Sequence, residues 1–351
     1  MMPTSLTKRA YDERGYGSLG CTPGGCVTTR RVVLCTARFT SKAATVSIPS
    51  MGAGGSREKV ATRTRVVIVH YGDVGLTQRA VASVLSGSYL PASIVVVDHG
   101  PGSYPERDGV QDPLVSVVRP GSNTGFAGGV AEGVASLPLD PEGDVWLLNN
   151  DAIAAAEALQ ELLATANRAR GPVLVSSLVI DESSGDVWFE RPRYLPWRLE
   201  SRHWRFRARP LPDDLVVGSS ITWRSVPYLP GCSLLVPATI FTNLGGFDPS
   251  FFMYGEDVDL SIRALRLGYG LILSRRSIVH HRTGAGSTTR DRERMLSESA
   301  FRLTARYYPW VLPLALMAGL VTGVKRAVTR RQLWWITTRL AGYATALKSR
   351  P

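Results

Sequence analysis

The chain reads as an α/β protein whose mostly parallel sheet is flanked by helices and followed by a helical C-terminal extension. Short runs of β-branched residues recur between residues 66 and 148, each stopped by Asp, Asn or Gly. Segments with apolar residues three and four apart separate them. Continuous apolar runs alternating with amphipathic helices mark parallel strands covered on both faces.

Val66-Val67-Ile68-Val69-His70-Tyr71 is the first strand, closed by Gly72-Asp73. Leu76, Ala80, Val81, Val84 and Leu85 give residues 75–86 helical spacing. A second strand, 94–97, ends at Asp98, ahead of the loop His99-Gly100-Pro101-Gly102-Ser103. A third, 114–118, runs into Gly121-Ser122-Asn123-Thr124-Gly125. A fourth, 145–148, ends at Asn149-Asn150-Asp151, with helix expected over 153–168. In such sheets ligands bind beyond the carboxyl ends of the strands, where Asp98, Asn123 and Asp151 fall.

Residues 188–209 interleave Trp188, Phe189, Trp197, Trp204 and Phe206 with seven arginines and are expected to form a loop that touches lipid headgroups or a pyrophosphate, or that is simply solvated. Such a mixture can bind single-stranded nucleic acid, but no nucleic-acid module accompanies it. Further on, Glu256 and Asp257 stand at the head of a helical pattern through Leu260, Ile262, Ala264, Leu265 and Leu267. Carboxylates are favoured there by unpaired N–H groups and the helix dipole.

The segment Gly245-Gly246-Phe247-Asp248-Pro249-Ser250-Phe251-Phe252-Met253-Tyr254-Gly255-Glu256-Asp257-Val258-Asp259-Leu260 resembles the acceptor-side motif of inverting family 2 glycosyltransferases. These have the GT-A fold, and the match is to their rhamnosyltransferase-like branch. Three further segments match in the same order, so the resemblance spans about residues 65–310. It implies that Asp257, beside Glu256, is the general base. It implies that Asp98 accepts the imide N–H of a nucleobase, although the family's Asp-Asn-x-Ser is here Asp98-His99-Gly100-Pro101. Asn123, Gly125 and Phe126 match the segment that approaches the donor sugar. Asn149, Asn150 and Asp151 match the metal motif, with Asp151 the ligand for Mg²⁺ or Mn²⁺ and the asparagines on the nucleotide-sugar side. Hard cations of this kind take oxygen ligands and keep waters and phosphate oxygens. A second ligand is expected from His280, which aligns best, or from His281. Adjacent strand residues face opposite sides, so only one can enter the site. Arg282 and Ser287 are candidates for holding phosphate.

The implied activity is metal-dependent, inverting transfer of a sugar, rhamnose in first place, from a dTDP- or UDP-sugar. The acceptor would be a lipid-linked saccharide or a polysaccharide. Two alternatives keep the fold: a soluble natural-product acceptor, or a degenerate subunit that binds sugar nucleotides without turnover.

The net charge of +12 is concentrated at the ends. Residues 1–63 hold ten Lys/Arg against three Asp/Glu, and residues 325–351 hold seven against none, leaving the body at about −2. Basic ends on a near-neutral body point to an anionic membrane and away from nucleic acid. The apolar stretch 310–324, some 15 residues containing Pro313, is short of the ~20 needed to span a bilayer. The following basic segment with Trp334 and Trp335 suits an in-plane interfacial helix. Cys21, Cys26, Cys35 and Cys232 have no metal-site spacing and read as reduced thiols. The expected organisation is a disordered or mis-annotated leader over 1–62, with Met51 a credible start, a catalytic domain over 63–290, and a basic, membrane-associating extension over 291–351. The expected location is cytoplasmic, peripheral at the inner face of the cell membrane.

Overall fold

The first strands form where β-branched runs place apolar side chains on both faces. The computed structural model describes residues 59–348, apart from 101–103, 105–111, 208–213, 218–220, 223 and 283–288. The expectations for the leader, its three cysteines, Met51 and Ser287 lie outside the described residues. In chain order β1 is Val60–Ala61, β2 Thr64–His70, α1 Val74–Leu85, β3 Tyr89–Leu90, β4 Ser93–Asp98 and β5 Val115–Val118. Then come α2 Gly125–Ala135, β6 Asp144–Leu148, β7 Ala152–Ala154, α3 Ala158–Arg168, β8 Val173–Asp181, β9 Asp186–Leu195 and β10 Glu200–Arg207. The remainder is β11 Leu215–Val216, β12 Val226–Pro227, β13 Ser233–Pro237, α4 Ala238–Leu244, α5 Glu256–Arg266, β14 Gly270–His281, α6 Thr289–Tyr307, α7 Leu312–Arg330 and α8 Trp334–Lys348.

The main sheet runs β10-β9-β8-β13-β6-β2-β4-β5, with β14 alongside β8. The β6-β2-β4-β5 half is parallel. Beyond β6 the sheet is mixed, because β13 runs antiparallel to both β6 and β8 while β14 is parallel to β8. Alternate residues of β2 sort to opposite layers. Val67 and Val69 pack with α2, α4 and α5, whereas Val66 and Ile68 pack with α1 and α3. This is the two-face burial that the apolar runs imply.

Three stretches differ from the expectation. Residues 152–154 are a strand that pairs antiparallel with the end of β14, so helix begins only at Ala158. The aromatic–arginine stretch is a β9–β10 hairpin, not a loop, with Leu195 opposite Glu200. The apolar tail does not stop at 324: helix runs through Lys325 to Arg330, capped by Arg331 at φ 51°. Residues 309–329 are thus long and apolar enough to cross a membrane by length and composition. The three C-terminal helices share a core with α5 and the β9 region, built on Tyr194, Val258, Ile262, Phe301, Tyr307 and Tyr343.

Candidate active site

The Asn149-Asn150-Asp151 turn follows β6. Asn149 N–H donates to Cys232 O at 3.0 Å, which ties the turn to the chain entering β13. The Asn149 side-chain amide lies 3.2 Å from His281 Nε2, and Asp151 Oδ1 lies 3.1 Å from the same nitrogen. His281 is buried, stacked on Trp188 at 4.7 Å between ring centroids, while His280 is exposed. The preference for His280 is therefore corrected. Val279 and His281 share the inward phase of β14, and His280 points to solvent. The second asparagine reaches away from this cluster: Asn150 Nδ2 donates to Tyr71 O at 3.2 Å and to Thr77 Oγ1 at 3.3 Å.

Asp98 ends β4 with its carboxylate already engaged. Oδ1 accepts from Gly100 N–H at 3.0 Å, and Oδ2 accepts from Tyr104 N–H at 2.9 Å and faces Arg119 Nε at 3.4 Å. With its side chain nearly fully buried, Asp98 shapes its own turn and has little surface left for a nucleobase. His70 Nε2 lies 4.0 Å from Asp98 Oδ1, beyond hydrogen-bond reach, while its Nδ1 lies 2.7 Å from Thr77 Oγ1, which also accepts from Asn150.

Asn123 accepts from Gly125 N–H at 2.8 Å and turns the chain into α2. Gly125 has φ +76°, and a Cβ there would collide with the Phe252 carbonyl. Phe126 N–H donates to that same carbonyl at 2.8 Å, and its ring meets Phe247 at 5.8 Å. The turn into α2 and the loop before α5 are thereby stapled together.

That loop is held from below. Asp259, fully buried, accepts from Arg263 Nε at 2.8 Å and from Arg306 at 3.1 Å. Arg263 also donates to Leu244 O and Gly246 O, and Arg306 pairs with Asp248. The loop enters α5 through two successive left-handed residues, Tyr254 at φ 68° and Gly255 at φ 87°. A non-glycine residue in that region stores strain, and such strain gathers at functional sites.

Glu256 and Asp257 then part company. Glu256 is buried with Oε2 unpartnered, and burial followed by the Asp257 charge holds its carboxyl well above the usual range. Buried in this way, Glu256 is the neighbour of the expected base and faces the interior. Asp257 is half-buried and accepts from Val258 N–H at 2.8 Å and Gly231 N–H at 3.3 Å. Burial pushes it up to about 6, against those two N–H groups, which lower it. It therefore stays ionised near neutrality and poised to accept a proton.

Cys232 relates the two halves. Burial first, then the charges of Asp151 and Asp257, push its thiol up, so it lies within electrostatic reach of both carboxylates. Sequence reading gave the Gly231-Cys232 step, Tyr228 and Trp188 no place at the site. Only a glycine ahead of an apolar run hinted at the first. Among the described residues no group of three or more His, Cys, Asp or Glu side chains forms a metal site. The Asp151–His281 pair nonetheless fits a divalent ion, since ligand atoms 3.1 Å apart match adjacent octahedral corners about 3 Å apart for ~2.1 Å bonds. Waters and phosphate oxygens would complete such a shell.

Residues 65–223 match the family described as Glycosyl transferase family 2. An N-acetylglucosaminyl-diphospho-decaprenol L-rhamnosyltransferase, found in two strains of Mycobacterium tuberculosis, is 28% identical over 257 residues, 64% of this chain and 78% of that protein. This chain is a glycosyltransferase similar to the rhamnosyltransferase-like members of family 2. Its GT-A fold is shared with solved structures. GalNAc-T7 with UDP, GalNAc and Mn²⁺ aligns at TM-score 0.54 and 15% identity, over 82% of this chain and 56% of that one. The mannosyltransferase PcManGT from Pyrobaculum calidifontis, with GDP-Man and Mn²⁺, aligns at TM-score 0.50 and 14% identity, over 83% and 88%.

Proposed function

We propose that this glycosyltransferase is metal-dependent and inverting, and moves rhamnose from a dTDP- or UDP-sugar to a lipid-linked saccharide at the cytoplasmic face of the membrane. The observation that carries the reading is that the Gly231-Cys232 step touches both candidate centres. Gly231 N–H donates to Asp257 Oδ2 at 3.3 Å, and Cys232 O accepts from Asn149 N–H at 3.0 Å in the turn that carries Asp151 beside His281. Asp257 takes the proton of the acceptor hydroxyl as its oxygen bonds to the anomeric carbon. The bond from that carbon to the diphosphate breaks with its electron pair leaving on the diphosphate, and one displacement inverts the configuration. Asp151 and His281 would hold Mg²⁺ or Mn²⁺, which supplies charge neutralisation for the departing diphosphate. The turn of Asn123, Gly125 and Phe126 would position the donor sugar. The lipid-linked acceptor is supported by the mycobacterial relative, whose name gives a diphospho-decaprenol acceptor and an L-rhamnosyl group.

Residues 63–290 would be the catalytic domain and 291–351 its membrane-associating extension. Support for the membrane comes from α7 and Trp310, two residues ahead of it. Trp310, Leu314, Met317, Val321, Val324 and Val328 follow one another at three- and four-residue steps and are all exposed, Met317 by 64% and Val321 by 68%. A helix face of that kind lies in the interface plane of a bilayer. Trp334 and Trp335, expected as the anchors, instead stack on each other at 4.4 Å and are half-buried.

A panel of nucleotide sugars with Mg²⁺ or Mn²⁺, reading release of nucleotide diphosphate, tests the reaction. Turnover of one donor that stops in excess chelator is expected. Full turnover in chelator would overturn the metal assignment, and no turnover of any donor would favour a non-catalytic binding subunit.

A further inference from the structure

The carboxyl end of β4 meets α2 through a buried polar cluster that the transfer chemistry leaves unused. His99 follows Asp98 with its side chain only 1% exposed, and its Nε2 lies 3.2 Å from Glu132 Oε2 on α2. Thr124, which opens α2, turns its hydroxyl to the same two groups, 3.3 Å from His99 Nε2 and 3.3 Å from Glu132 Oε2. A carboxylate offers only lone pairs, so His99 Nε2 and the Thr124 hydroxyl each bring it a proton. The backbone of His99 is held as well, its N–H donating to His70 O at 3.0 Å.

Local stability is given up to build this contact. Gly128 and Gly129 lie inside α2, where glycine is disfavoured relative to alanine. A Cβ at 128 would lie 2.5 Å from Thr124 Cβ and Oγ1, and one at 129 would lie 2.8 Å from His99 Cε1. The two glycines therefore admit the Thr124 side chain and the imidazole. A threonine at the head of a helix ordinarily caps its first turn, yet the Thr124 side chain makes no such bond. Natural sequences break local rules of this kind mainly at functional sites. The asparagine usual at position 99 in the resembling family is also one atom shorter on the path to Glu132.

The elements joined by the cluster decide its role. His99 stands at the strand ends where such sheets bind their ligands. Thr124 lies between Asn123 and Gly125, in the turn that would position the donor sugar. We propose that His99 is a positioning residue for the donor: by donating to Glu132 beside Thr124, it fixes residues 123–126 against the end of β4. The nucleotide end and the sugar end of one donor molecule are then held at a set spacing, as near-attack geometry requires. With its ring buried, His99 acts through that turn and not on the reacting atoms. The inference rests on the donor reading above.

Two substitutions separate the donated hydrogen bond from packing. His99→Gln keeps an N–H donor at about the same reach, and His99→Leu keeps bulk without one. The full chain is titrated by calorimetry with dTDP and with dTDP-rhamnose in Mn²⁺. His99→Leu should bind dTDP-rhamnose at least ~5-fold more weakly than wild type, with His99→Gln within about twofold. Both variants should bind dTDP within about twofold of wild type. Equal affinities of all three proteins for dTDP-rhamnose, the reverse order of the two variants, or equal weakening of both ligands overturns the proposal. Should His99→Leu not fold, Glu132→Leu, from a side chain 31% exposed, removes the acceptor instead and carries the same expectations. Amide exchange of the ligand-free proteins reads the contact without any donor. Residues 124–128 should exchange at least ~5-fold faster in His99→Leu than in His99→Gln. If wild type binds neither ligand, the donor reading fails and exchange alone decides: faster exchange in His99→Leu supports the positioning role, and equal exchange overturns it.

Discussion

Asp257 combines an activity and a stability cost in one side chain. Its folded value of about 6 lies above the ordinary aspartate value of 3.8. The folded state thus holds this proton more tightly than the unfolded one, and stability falls as pH rises from about 4 to 6. Above that window the ionised carboxylate costs about 1–3 kcal/mol. Asp257→Asn should therefore raise Tm at pH 7 by about 2 °C or more while slowing transfer at least ~100-fold. Thermal melts beside single-turnover transfer read both, and a variant that loses stability would contradict the assignment. In wild type, kcat/KM should fall below about pH 6 as Asp257 protonates, by about tenfold per pH unit. The two histidines separate at the same scale. His281→Gln should raise the Mn²⁺ concentration needed for half activity by ~10–100-fold, and His280→Gln should leave it within about twofold. The reverse order in a metal titration would return the ligand to His280.

Among the elements, the turn into α2 and the loop before α5 are joined through the Phe252 carbonyl. Gly125 is required there twice over, by its φ of +76° and by the Phe252 carbonyl that a Cβ would strike. Gly125→Ala should cost about 1–3 kcal/mol and slow transfer by prising the loop from Phe126. Gly121→Ala is the control, because nothing lies within 4 Å of its added Cβ and an exposed site changes stability by no more than about 0.5 kcal/mol. Denaturant melts of both variants check the difference, and equal costs would remove the staple. Asp259, clamped by Arg263 and Arg306, keeps the other end of that loop in place.

For the molecule as a whole, binding to membranes should depend on the face of α7 more than on the tryptophan pair. Met317 and Val321 project into solvent, so the double substitution Met317→Asp, Val321→Asp should leave the fold intact. It should remove co-sedimentation with anionic vesicles, since apolar insertion is lost and the added charges are repelled. Trp334→Ala should have the smaller effect. Sedimentation of the aspartate variant at the wild-type level would take the membrane role away from this helix.

The sequence by itself determined the strand–helix alternation, the strand-end positions of Asp98, Asn123 and Asp151, and the carboxylate pair heading α5. These are local matters of periodicity, turn chemistry and helix-end electrostatics. The choice between His280 and His281 needed the tertiary structure. In a strand covered on both faces, Ile272 and Ile278 are apolar in one phase as Leu271 and Val279 are in the other, so alternation cannot tell which phase faces the site. Asp98 likewise sits at the expected strand end, yet only folding shows its oxygens turned to Gly100, Tyr104 and Arg119. Glu256 and Asp257 are adjacent and chemically alike, and their helix phase alone buries one and leaves the other facing Gly231. The C-terminal helices were ambiguous because a protein core and a bilayer both select apolar side chains. Packing of Tyr343 and Ala315 into the core, and exposure of the opposite face of α7, decided which apolar residues the fold buries and which it leaves facing outward.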